Sequence, residues 1–424
     1  MVSSAKRERN LGIELLRIIT TFSILVLHTQ GMGGLLDQLT FLSPKYEAAW
    51  ALETLCYYVI TTYGMISGYV GLNGRYRISN IVYLWLQVMF FSLVGNGIYM
   101  ILDPSVRHSG TVFTMLFPTM TGQFWYFTAY LLVFLMMPLV KAGFEHLPKK
   151  ILDFIFIAIL VFLSTMDIIF NTNIFCVDEG YSATWLLASY FMGMYVKKFE
   201  FGKNIKTKVL VGIFFLSMAL TWLSKLAIDL LLGFDPANPE KGNRLLRLNS
   251  PTMVICSIAL LLIFSRVNLG GKMANVVRKL SPYLFGVYLT NCCPVVWMLV
   301  LKDRFAKYAE YPAPIMILLV LLITVAIFLG GVVVDGIRYI IFSLARVKER
   351  LSILEDRIMG EKCPCCGQSQ VGKYEICGVC GWENDPVQKQ DPDFKGGANK
   401  DSLNEHREEF MRNLTEIVAQ KEKQ

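Results

Sequence analysis

Three side chains in the first apolar segment have the types and spacing to do chemistry: Glu14, Arg17 and His28. On a helix, at about 100° per residue, they fall within roughly 60° of one another, and Thr21 lies on the same stripe. Arg17 and His28 are close to three full turns apart, which puts them on one face about 16 Å apart along the axis. Imidazole titrates near neutral pH and suits removal of a proton from a hydroxyl. A plain packing explanation stands beside this one. Glu14 and Arg17 would pair at i, i+3 near the inner interface, Arg17 would snorkel toward headgroups, and His28 would be a satisfied polar residue at the outer interface. Against it, His28 is the one histidine inside an apolar segment; His108 and His146 fall in loops and His406 in the tail.

Two further groups carry chemistry. Arg75 and Arg77 flank Tyr76 after the second apolar segment. Two guanidinium forks at that spacing suit a ligand with several phosphates, although basic anchors on the inner side of a membrane look the same. Near the C-terminus the chain reads Cys363-Pro-Cys365-Cys366-Gly367, then Cys377-Gly-Val-Cys380-Gly381. The paired C-x-x-C spacing is that of a zinc ribbon, with Cys363, Cys366, Cys377 and Cys380 as ligands and Cys365 left over. A glycine after each pair allows the positive-φ turn that aims backbone N–H groups at thiolates. Four thiolates leave no open position, so the zinc is expected to be structural. A disulfide pair is the alternative, and a reducing cytoplasm works against it. Cys56, Cys176, Cys256, Cys292 and Cys293 lie in or beside apolar segments and read as small fillers.

The elements that must position these residues are set by composition. Of 424 residues 54% are hydrophobic and 17% charged, where a soluble domain carries about 25% charged. The apolar residues gather in runs long enough to cross a bilayer, so the fold class expected is an all-α polytopic membrane protein of about ten transmembrane helices plus a small cytoplasmic zinc-ribbon-like domain. The spans expected are 11–30, 47–72, 80–102, 122–142, 151–170, 181–197, 208–232, 250–265, 281–301 and 313–343. The first carries Glu14 and Arg17 without a small-residue cleavage site after it, and is read as retained. Lysines and arginines sort the loops: Lys197, Lys198, Lys203, Lys206 and Lys208, or Arg266, Lys272, Arg278 and Lys279, crowd loops on the same side as Lys6, Arg7 and Arg9. That places both termini in the cytoplasm of a multi-pass inner-membrane protein. The same rule accounts for the net charge of +8 without nucleic acid. From about residue 344 the apolar runs stop. Residues 1–345 are expected to be the transmembrane domain, 346–360 a juxtamembrane linker helix, and 361–424 the cysteine-rich domain with a C-terminal helix, Ser402 and Glu405 forming its capping box.

The run Gly12-Ile-Glu-Leu-Leu-Arg17-Ile-Ile with His28 eleven residues after Arg17 resembles the first-helix signature of membrane acyltransferase family 3, the bacterial O-acetyltransferases of exopolysaccharide and O-antigen. In order along residues 8–345, Ile66-Ser67-Gly68-Tyr69 is similar to that family's "SGY/SGF" ending, and Arg75-x-Arg77 follows it. Phe124-Trp125-Tyr126-Phe127-Thr128-Ala129-Tyr130 resembles its aromatic fourth helix. Gly180-Tyr181-Ser182, Tyr190-Phe191-Met192-Gly193, Asn249-Ser250-Pro251, Gly286-Val287-Tyr288-Leu289 and Asp335 with Arg338 continue the match. Two departures stand out. The "VYLI-His" of many relatives is here Val287-Tyr288-Leu289-Thr290-Asn291, where Asn291 can only hydrogen-bond. Thr61-Thr62-Tyr63-Gly64 stands where many relatives carry Asn and Phe. Residues 361–412, with Trp382, Asp391-Pro-Asp and Gly396-Gly-Ala-Asn399, resemble the small "CPCC" cysteine-rich domain.

The resemblance implies transfer of an acyl group, acetyl by default, from cytoplasmic acyl-CoA (acetyl-CoA) to a hydroxyl of a cell-surface or lipid-linked carbohydrate. Arg75 and Arg77 would take the donor phosphates, Arg17 would guide the pantetheine arm or polarise the thioester, Glu14 would orient Arg17, and His28 would be the base. The partners implied are acyl-CoA, the carbohydrate acceptor and the lipid bilayer, with room for a protein partner on the Zn2+ domain. Two other readings fit the polar stripe: a non-enzymatic carrier or exporter of a polysaccharide precursor, and a membrane sensor with a zinc interaction module.

Overall fold

A computed structural model describes residues 10–421 apart from 75, 172, 174, 234–240 and 359. Arg75 therefore lies outside the described residues. Each apolar segment is helical, but not each is one long helix. The first, α1 (Leu11–Gln30), starts where the Asn10 side chain accepts a hydrogen bond from the Ile13 amide at 3.1 Å, satisfying one of the free donors of the first turn. The second segment is two helices, α2 (Pro44–Cys56) and α3 (Val59–Gly71), of 13 residues each. Ser43 caps α2 and Pro44 fits its first turn. At Tyr57 the bonding tightens to the carbonyl of Thr54 and the helix restarts at Val59.

The chain continues through α4 (Ile78–Leu102), α5 (Trp125–His146) and α6 (Lys149–Phe170), which is π-helical over Ile159–Met166. There follow α7 (Ala183–Lys198), α8 (Thr207–Leu232), α9 (Pro251–Ser265), α10 (Gly271–Leu280) and α11 (Leu284–Cys292). After α11 the chain bends by 57° into Pro294–Glu310, and α12 (Ala313–Leu344) closes the series. Among the described residues α1, α4, α5, α6, α8 and α12 are long and apolar enough to cross a membrane, and a seventh crossing exists if the bent pair is one span. The apolar helices α7 and α9, at 16 and 15 residues, are shorter, and both lie largely inside the protein.

The chain divides into two compact units: residues to Tyr76 with Trp85–Ile340, and Arg77–Leu84 with the chain from Ile341 onward. In the first, α1, α3, α7 and α9 share a core that includes Leu16, Met65, Trp185, Met192 and Cys256. Within a bilayer this association is driven by close packing rather than by water, and the glycines permit it. A Cβ on Gly68 would overlap the Tyr190 carbonyl, and one on Gly193 would overlap that of Met65. The two glycine motifs of α3 and α7 are thus the two sides of one backbone contact. On α12, Leu318, Leu322, Leu329, Val333 and Ile337 are each more than half exposed, the profile of a face solvated by lipid.

In the second unit, α13 (Val347–Ile358) is followed by a two-stranded hairpin, Glu361–Lys362 against Gln370–Val371. A short helix α14 (Pro386–Gln390) and α15 (Leu403–Lys421) complete it. Trp382 is fully buried among Cys363, Cys377, Val371 and Leu403. The capping box forms as the sequence indicated: Ser402 Oγ accepts from the Glu405 amide at 3.3 Å, and a Glu405 carboxylate oxygen accepts from the Ser402 amide at 3.2 Å.

Candidate active site and metal centre

The stripe on α1 is held from both ends. Near its start Arg17 donates to Glu14 at 3.0 Å, and the Arg17 side chain keeps 29% of its surface open. One turn on, the hydroxyls of Thr21 and Tyr63 lie 2.5 Å apart in a hydrogen bond, 2.9 and 3.1 Å from the Arg17 carbonyl oxygen, which accepts from one of them. Tyr63 thus ties α3 to the arginine turn. Its ring packs against Tyr126, which in turn lies against Tyr130 and Tyr288. This aromatic wall joins the level of Arg17 to α11, and gives the aromatic stretch after Phe124 its place.

At the other end, His28 Nδ1 is hydrogen-bonded to Asn291 Oδ1 on α11. An amide oxygen only accepts, so Nδ1 carries the proton and Nε2 keeps its lone pair. Trp297 meets the imidazole edge to face, with ring centroids 4.9 Å apart. The ring is therefore fixed by one hydrogen bond and one aromatic contact. Asn291 is buried and its Nδ2 has no hydrogen-bond partner among the described residues.

Against α11 packs a buried ion pair on α12. Arg338 reaches both Asp335 oxygens at 2.7 Å, and both residues are essentially inaccessible. A Cβ on Gly286 would overlap the Asp335 carboxylate. Gly286 thus leaves the room that the Asp335–Arg338 pair occupies beside the helix that presents Asn291.

Sequence reasoning missed several of these. Asn291 and Tyr63 were visible only as departures from relatives, yet they are the residues that touch His28 and the Arg17 turn. Glu53 on α2 is another. It is buried and accepts from Gln30 Nε2 at 2.7 Å, two residues beyond His28. A carboxylate in an apolar segment is the signal that would have found it.

Arg77 lies in the second unit, and its guanidinium is already engaged. It reaches Glu355 at 2.8 Å, and Asp356 and Ser352 at 3.0 Å, all on α13. The Glu355 carboxylate also accepts from the Ile78 amide and the Ser79 hydroxyl, both at 2.6 Å. It sits at the N-terminus of α4, where an anion is favoured. Burial pushes against the charged form of Glu355, and these bonds outweigh it, holding its carboxyl below the usual range.

The four expected cysteines come together. Cys363, Cys366, Cys377 and Cys380 have their sulfurs within 4.8 Å of one another. The Cys363–Cys380 and Cys366–Cys377 sulfurs are 3.5 and 3.6 Å apart, near the ~3.8 Å edge of a tetrahedron with Zn–S bonds of about 2.3 Å. Gly367 and Gly381 have φ of 66° and 74°, the left-handed turn expected after each pair. The Gln368 amide donates to Cys366 Sγ at 3.4 Å, so the donor set and its surroundings fit a zinc ion.

Comparison with known families agrees with this division. Residues 10–334 match the family model Acyl_transf_3, an acyltransferase domain, and residues 361–414 match the cysteine-rich CPCC model. The chain is a multi-pass membrane protein that belongs to the acyltransferase 3 family, and it carries a CPCC domain at its C-terminal end. No curated protein and no solved structure matches it.

Proposed function

We propose that this protein transfers an acyl group, acetyl in the simplest case, from acyl-CoA to a hydroxyl of a carbohydrate at the membrane. The observation that carries the reading is the His28–Asn291 hydrogen bond, which leaves a basic nitrogen on a fixed ring. His28 Nε2 takes the proton of the sugar hydroxyl as its oxygen bonds to the thioester carbonyl carbon. The C–S bond breaks, the ester is released, and the proton passes from His28 to the departing CoA thiolate. Arg17 polarises the thioester or guides the pantetheine arm, with Glu14 fixing its direction. Arg75 and Arg77 hold the donor phosphates; Glu355 stands where a phosphate would bond to Arg77 and must yield to it. About ten helices cross the inner membrane, with both termini in the cytoplasm where acyl-CoA is made. Cys363, Cys366, Cys377 and Cys380 hold a structural zinc.

The test compares ester-linked acyl groups on surface polysaccharide from cells with no copy of the gene, the wild type, and His28→Ala, at equal membrane levels. Esters that appear with the wild type and vanish with His28→Ala support the enzyme and its base, and the mass of the released acid names the donor. Equal ester content in all three overturns the reading.

A further inference from the structure

We propose that the CPCC domain holds a second divalent metal, at a site formed by Cys365, Cys380 and His406 that shares Cys380 with the four-thiolate set. Cys365 has no place in the first set, because the two C-x-x-C turns are completed by their outer cysteines. It is nonetheless buried, and its sulfur lies within 4.8 Å of both Cys380 Sγ and an imidazole nitrogen of His406. Two features hold His406 in place. The Ser402–Glu405 capping box fixes the first turn of α15 and with it the His406 backbone. The ring is then set by Trp382, at 5.3 Å between centroids, and by His406 Nε2, which donates to the Cys380 carbonyl at 2.8 Å. A carbonyl cannot donate, so Nε2 bears the hydrogen and Nδ1 keeps its lone pair. That arrangement, one ring nitrogen anchored to a backbone carbonyl and the other free, is how ligating histidines are held.

The charges favour a second ion. Four thiolates around one divalent ion leave two negative charges; Cys365, losing its proton as the second ion binds, adds a third, and that ion's two positive charges leave a net of one. Arg407, which donates to the Pro364 carbonyl at 2.7 Å next to Cys365, offsets part of the rest. One imidazole and two sulfurs suit zinc or cadmium rather than magnesium or calcium. A thiolate has lone pairs for two metals, so Cys380 bridges. With three protein ligands the second ion keeps an open position for water, unlike the first. Because it shares a thiolate and has one ligand fewer, it binds more weakly and exchanges faster.

The full-length protein in detergent, reduced and stripped of metal, is titrated with zinc, and bound zinc is counted by mass spectrometry. The wild type is expected to take two equivalents. Cys365→Ala and His406→Asn, which keeps a donor for the Cys380 carbonyl, are each expected to take one, at the affinity of the first wild-type equivalent. Saturation of the wild type at one equivalent overturns the proposal. So does a second equivalent that survives both substitutions, since it lies elsewhere. If a substitution unfolds the domain, cadmium NMR of the wild type decides: two resonances, one from a thiolate-rich and one from a mixed sulfur and nitrogen environment, support the site, and a single resonance overturns it.

Discussion

Replacing Asn291 by Leu removes the group that fixes the His28 tautomer while filling much the same space. The magnitude follows from what is lost. A neutral hydrogen bond contributes about 1 kcal/mol, and a ring freed from its partner must be reordered before each transfer, at a further cost of about 1 kcal/mol. Together these raise the barrier by about 2 kcal/mol, or roughly 30-fold in kcat. Loss of the proposed base, in His28→Ala, is expected to remove the whole general-base contribution, on the order of 10²–10⁴-fold. Trp297 still meets the imidazole in the Asn291→Leu variant, so the ring stays in the site and the defect is partial. The assay is acyl transfer from radiolabelled acyl-CoA by purified protein in detergent or liposomes, with kcat and KM for the donor separated. The expected result is a fall in kcat with little change in KM, with the melting temperature lowered only slightly by the lost hydrogen bond. A kcat within twofold of the wild type would refute the claim that Asn291 orients the base.

Other perturbations test the scaffold and the second unit. Arg338→Leu leaves Asp335 buried and unpaired and is expected to destabilise the protein by about 3–5 kcal/mol; the double variant with Asp335→Leu recovers most of this, measured by thermal unfolding in detergent. Glu355→Gln weakens the carboxylate that occupies the Arg77 fork, so the donor KM falls several-fold with kcat unchanged, read in the same transfer assay; an unchanged KM would argue against Arg77 as a phosphate ligand. Stripping zinc with a strong chelator, or lowering the pH until thiolates are protonated, unfolds the CPCC domain. Trp382, fully buried, then reports by a red shift of its emission.

The α1 stripe was legible because polar groups in an apolar run are costly and few, and three at one helical phase stand out. The cysteine tail was legible because ligand spacing is a local property of the chain. The boundaries of long helices such as α8 and α12 followed from long, mostly apolar runs. What could not be read was tertiary. Nothing near position 291 announces a partner at position 28, and nothing at Gly286 announces Asp335. The expected single span over 47–72 divides because the bonding at Tyr57 changes type, and hydropathy is blind to that. Nothing near His406 in the sequence announces Cys380, because α15 brings the two together only through the fold of the whole domain.

The unpaired Nδ2 of Asn291 bears on what the site does. A buried donor without a partner costs about 1–3 kcal/mol, and native structures keep few of them. This one belongs to the same amide whose oxygen holds His28, so it is fixed by the bond that sets the base. The amide that holds His28 thus carries a buried donor with no partner among the described residues. Acyl transfer needs both at once: the base for the attacking hydroxyl, and a donor for the charge that develops on the carbonyl oxygen. A carrier or a sensor has no requirement for that pairing, since moving or reading a ligand involves no oxyanion. A carbonyl oxygen brought to this position would satisfy the Asn291 donor.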